Sequence, residues 1–170
     1  MARVRFVETL KLLAHNDVEF IVVGMTSAVL QGVPLTTLDL DILHRRTPEN
    51  VERLLRVLSE LQGTYRNDPR KLQTTASHLL GPGHQLLNTM NGDLDCLGTI
   101  DEGKSFDDLL DYTVELRLSG DATIRVLTLE KLVELKKRAA RPKDLAAIPH
   151  IESTIDERRN MALSTDKSSL

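Results

Sequence analysis

The spacing of apolar positions divides the chain into short elements. Phe6, Leu10, Leu13 and Ala14 recur at helical intervals and predict an amphipathic helix over about residues 3–15. Phe20 to Val23 is an unbroken apolar run closed by Gly24, which predicts a short buried strand. Thr26 to Gln31 is predicted to form a helical turn or two before Gly32 and Pro34 break it, and Leu38 to Leu43 is the next strand. The clearest helix follows. Thr47 can cap it, Pro48 suits its first turn, Gly63 follows its end, and Val51, Leu54, Leu55, Leu58 and Leu61 line one face.

Residues 64–83 are polar, include Asn67-Asp68-Pro69 and Gly81-Pro82-Gly83, and read as a loop. The stretch "HQLLNTMNGDLDCLG" then reads as a hairpin, with Asn91-Gly92 as the pair that a type I′ turn favours. A second hairpin is predicted from Val114–Leu118 and Thr123–Val126 around Ser119-Gly120. Thr128 caps a helix to about Ala139, Arg141-Pro142 interrupts it, and another helix follows from Pro142. The order of elements predicts an α+β fold, a small mixed β-sheet with helices packed against it. One domain is expected over residues 1–155, with a C-terminal tail over 156–170 that frays.

Two aspartates interrupt the apolar strand 38–43. Successive side chains on a strand face opposite sides, so Asp39 and Asp41 share one face and Leu38, Leu40 and Ile42 the other. Their Cα atoms should stand roughly 6.5 Å apart, close enough for both carboxylates to reach one divalent ion. Magnesium suits such a site, because it takes oxygen ligands and leaves positions for substrate phosphates. Asp93 and Asp95 repeat the pattern, with Leu94 and Cys96 on the opposite face. If the two strands are neighbours, a third carboxylate joins the first two. An exposed strand face carrying alternating charges is the plainer explanation of any one such pair.

Composition narrows the setting. At 170 residues the chain suits one core, and a net charge of −3 lacks the strongly basic footprint of a protein that grips nucleic acid through phosphates. Cys96 is the sole cysteine, which excludes an internal disulfide and a multi-cysteine zinc site. No run is long enough to span a membrane, and "MARVRFVETLKLL" is too polar for a signal peptide, so a cytoplasmic protein is expected.

Gly24, a spacer, and then Asp39-Leu40-Asp41-Ile42 resembles the signature of the nucleotidyltransferase superfamily, the fold of polymerase-β-type enzymes. "GDLDCLGTI" is similar to the strand bearing that family's third carboxylate, which falls at Asp95. "VLTLEKLVELKKRAARPKDLAAI" is similar to the closing segment of small bacterial members, including abortive-infection and toxin-type enzymes. The resemblance implies a two-metal mechanism using Mg2+ or Mn2+. Asp39, Asp41 and Asp95 would be the catalytic and metal-holding residues. Gly24, Thr26, Ser27 and Lys136 would meet the nucleotide. The donor would be a nucleoside triphosphate and the acceptor a protein, RNA or small molecule, with a homodimer or a cognate partner completing the cleft.

Two positions depart from the family pattern. Met25 stands where glycine or serine is usual, and Leu35 where related members often carry arginine. If these losses empty the phosphate loop, the chain is a nucleotide- or partner-binding relic of the same fold. Lys136 continues the stripe of Leu129, Leu132 and Val133, so it either snorkels at the helix edge or points into the site. Arg141, Lys143 and Asp144 match the same family segment, though Asp144 also suits a helix start. His44 is expected at the surface, and Cys96 in the core.

Overall fold

The computed structural model describes residues 5–167. Its elements follow in chain order: α1 (Phe6–His15), β1 (Phe20–Val23), α2 (Gly24–Leu30), β2 (Asp39–His44), α3 (Pro48–Glu60), β3 (Thr64–Tyr65), α4 (Ala76–Leu80), β4 (His84–Thr89), β5 (Gly92–Leu97), α5 (Phe106–Leu109), β6 (Thr113–Arg117), β7 (Thr123–Leu127), α6 (Leu129–Ala139) and α7 (Pro142–Lys167). Among the described residues the strands form one sheet in the order β3-β4-β5-β2-β1-β7-β6. β2 runs parallel to β5 and β1 parallel to β7, while the other neighbours are antiparallel. The expected α+β class with a mixed sheet is what is found.

Alternation along the strands splits the core in two. On one face Leu40, Ile42, Leu94 and Cys96 pack with Leu10 and Leu13 of α1 and with Val51, Leu54 and Leu58 of α3. On the other, Val23, Leu43, Leu97 and Leu127 meet α2, α6 and α7. Asn50 locks α3 to the sheet. Its side chain accepts from the Glu19 N–H at 2.7 Å and donates to the Glu19 and Arg45 carbonyls at 2.9 and 2.8 Å.

Four local expectations are corrected. The segment 64–83 is not all loop: Thr64 and Tyr65 pair with Asn88 and Leu87 as the sheet's edge strand, and α4 follows under a Thr75 cap. The β4–β5 turn is not type I′, because the left-handed φ falls on Gly92 (117°) and not on Asn91. Asn91 instead donates its N–H to Thr89 Oγ1 at 3.1 Å and its side-chain Nδ2 to Thr9 Oγ1 at 3.3 Å. His44 is buried, and it bonds the Leu79 carbonyl through Nε2 at 2.8 Å, tying β2 to α4. From Asp156 on, where a frayed tail is expected, α7 continues to Lys167 with exposed side chains, carried by good helix formers such as Glu157, Arg158, Met161 and Ala162. Residues 3 and 4 of the expected first helix, and 168–170 of the tail, lie outside the described residues.

Candidate active site

One sheet face changes character along two adjacent strands. On β2 the residues facing α2, α6 and α7 read Asp39, Asp41, Leu43, and on β5 they read Asp93, Asp95, Leu97. The parallel register sets Asp39 beside Asp93 and Asp41 beside Asp95. Leu43 and Leu97 lie under the helical cover, and the aspartates stand where that cover ends. A cleft of about 550 Å³ opens there, lined by Gly24, Asp39, Asp41, Asp95, Lys136 and Lys143, among others.

Gly24 carries the turn from β1 into α2 at φ +63°, a conformation costly for side chains with a Cβ. A Cβ there would also overlap Oδ2 of Asp41, so the glycine is what lets that carboxylate lie against the bend. Thr26 and Ser27 are buried behind the turn, apart from the cleft lining. Thr26 Oγ1 donates to the Asp39 carbonyl and Ser27 Oγ to the Gly24 carbonyl, both at 2.7 Å. These hydroxyls hold the bend and the start of β2 together. Met25 and Leu35 pack against the apolar cluster under α6 and α7, and neither lines the cleft.

The carboxylates repel one another. Burial, then the charges of Asp95 and Asp39, push Asp41 up to about 6, and Asp41 donates a hydrogen bond to Asp95. Burial also raises Asp95, although the Arg66 charge and hydrogen bond oppose it. Lys143 lies close enough to pull Asp41 back down.

The opposite wall is basic. Lys136 is buried to 9% exposure, and its Nζ donates to Asp144 Oδ1 at 2.9 Å, while Arg141 Nε donates to Oδ2 at 2.6 Å. Burial pushes Asp144 up, but these two cations outweigh it and hold its carboxyl below the usual range. Lys136 therefore reaches the cleft already paired, and Arg138 is shared between Asp101 and Glu134. Cys96 faces the core, where burial pushes its thiol up.

The donor set fits a hard divalent ion. Its groups are carboxylate oxygens, and their crowding, which keeps Asp41 protonated at mildly acidic pH, is relieved by a cation. Among the described residues no three such donors already stand together in coordinating geometry. Asp95 is engaged instead by Arg66, whose guanidinium lies 2.5 Å from Oδ1. Arg66 went unnoticed in the sequence, because a lone arginine in a polar segment carries no periodic signal.

No family model matches the chain, and no curated protein matches it in sequence. Solved structures do match in fold. A Thermotoga maritima protein assigned as a nucleotidyltransferase (TM1012) is 21% identical with a TM-score of 0.54, covering 85% of this chain and 88% of its own. The lincosamide antibiotic adenylyltransferase LnuA, solved with lincomycin, is 16% identical with a TM-score of 0.61, covering 89% and 99%. ANT(2″)-Ia in complex with adenylyl-2″-tobramycin is 14% identical with a TM-score of 0.57, covering 96% and 95%. The chain shares its fold with these three proteins.

Proposed function

We propose that this chain is a metal-dependent nucleotidyltransferase, which moves a nucleoside monophosphate from a nucleoside triphosphate to an acceptor hydroxyl and releases pyrophosphate. The observation that carries this reading is the in-register meeting of Asp41 and Asp95, with Asp39 one pleat away, beside the Gly24 bend. Asp39 and Asp41 would hold Mg2+ or Mn2+, which when bound neutralises triphosphate charge and polarises the phosphoryl group. Gly24 lets phosphate approach the backbone where a side chain would block it. Lys143 and Arg141 offer positive charge from the facing wall. The acceptor oxygen bonds to the α-phosphorus, the bond to the bridging oxygen breaks, and the hydroxyl proton passes to Asp95.

Met25 packing into the core keeps the phosphate approach open and favours an enzyme over a relic. The fold neighbours that carry antibiotics favour a small hydroxylated molecule as acceptor. No helix among the described residues is long and apolar enough to cross a membrane, and a cytoplasmic setting supplies the triphosphate.

Pyrophosphate release tests the reading. The protein is incubated with Mg2+, each common nucleoside triphosphate and a panel of polyhydroxylated small molecules. Release that needs both cation and acceptor, and is lost in Asp39→Asn, is expected. Label entering protein or RNA would instead assign a toxin-type acceptor. No release under any condition would contradict transfer.

A further inference from the structure

Arg66 is a charged group held against the cleft's third carboxylate, and the reaction above gives it no task. It sits just past the edge strand, where its N–H donates to the Leu86 carbonyl of β4 at 2.9 Å. From that anchor its side chain crosses β4 to β5, with Nη2 at 2.5 Å from Asp95 Oδ1 and Nε at 3.2 Å from Asp93 Oδ2. This is not a solvated surface pair. The Arg66 side chain is 24% exposed and that of Asp95 12%, and Nε is enclosed with no hydrogen bond of its own. The guanidinium sets a positive charge at this position. It rests on an oxygen of the one carboxylate that β5 contributes beside Asp41.

We infer that Arg66 is a built-in counter-ion for Asp95, a positioning residue that a divalent cation must displace to reach this third carboxylate. Two unlike cation positions follow. Asp39 and Asp41 are held by no guanidinium and can take an ion directly, whereas an ion at Asp95 meets a positive charge already in place. Arg66 then holds Asp95 oriented until cation and nucleotide arrive together, which makes binding at Asp95 dependent on both. The inference rests on the metal-dependent reading proposed above.

Mn2+ binding, measured by calorimetry with metal alone and with a non-hydrolysable nucleoside triphosphate, tests it. Arg66→Ala and Arg66→Gln should bind Mn2+ more tightly, or bind one further ion, with an affinity gain of about tenfold or more, since a charge-assisted hydrogen bond is removed from a ligand. Arg66→Lys, which keeps the charge, should stay near wild type, and adding Asp95→Asn to Arg66→Ala should abolish the gain. In the wild type, the 15N-labelled Arg66 Nε–H should exchange faster with solvent once nucleotide and Mg2+ saturate the protein, a readout that needs no variant. Unchanged or weaker Mn2+ binding in folded Arg66→Ala and Arg66→Gln overturns the inference, as does a gain that survives Asp95→Asn or an Nε–H signal that ignores bound metal. Binding that depends on Asp39 but not on Arg66 overturns the inference alone. Absence of any Mn2+ binding, with and without nucleotide, overturns the metal-dependent reading as well.

Discussion

At the scale of single residues, the site depends on Gly24 and Asp41 sharing one small volume. Gly24→Ala adds a Cβ at φ +63° and drives it into the Asp41 carboxylate. It should cost about 1–3 kcal/mol of stability by denaturant titration, and should weaken nucleotide binding by moving Asp41. Asp41 also makes the metal-free protein sensitive to pH. Its folded value, about 6, lies above that of the unfolded chain. Between about pH 4 and 6 the folded protein therefore holds a proton that the unfolded chain has released, and stability falls as pH rises through that window. The loss is on the order of 2–3 kcal/mol at most, less for the partial exposure of the group, and is complete above about pH 6. Asp144, held low, titrates beneath this window. Melting of wild type and Asp41→Asn across pH 4–7 checks it. The wild type should lose stability relative to the variant as pH rises, and saturating Mg2+ should remove the difference. A parallel pair of curves would contradict the assigned repulsion.

At the scale of elements, what could be read in advance was what repeats. Asp39 and Asp41 alternate with Leu38, Leu40 and Ile42, so strand and shared face followed from period two alone. The Thr47 cap, Pro48 and five spaced apolar residues defined α3, whose Thr47 hydroxyl accepts from Asn50 N–H at 3.3 Å. Contacts set by tertiary placement were not legible. His44 was expected at the surface because histidine usually is, yet β2 continues under α4 and burial wins. The edge strand Thr64–Tyr65 is too short to show alternation, so the segment that delivers Arg66 read as loop. Lys136 fell between two meanings, and in the structure its ammonium is paired with Asp144 beside the cleft. Asn50 shows how much one unperiodic residue can hold. Asn50→Ala would strand the Glu19 N–H and the Arg45 carbonyl at the base of β1 and β2, leaving the Glu19 carbonyl only its bond from the Arg45 N–H, and should cost about 2–4 kcal/mol in a denaturant titration. A change under 0.5 kcal/mol would show that water replaces these bonds freely.

At the scale of the whole molecule, the sheet order does the positioning. β2 and β5, separated in the chain by some fifty residues, become parallel neighbours, and only that pairing turns two unremarkable Asp-Leu-Asp strands into one acidic surface. β1 ends beside them and turns at Gly24, while α6 and α7 supply the basic wall. Nucleotide with metal should bridge these walls and so stabilise the entire fold. The most direct measurement is thermal unfolding with Mg2+ and each of the four common nucleoside triphosphates, in wild type and in Asp39→Asn. Ligand at about a thousand times its Kd should contribute about 4 kcal/mol to the wild type, a rise of roughly 8–16 °C for a chain of this size, and little to the variant. An unmoved melting temperature with every triphosphate, or an equal rise in Asp39→Asn, would contradict the account.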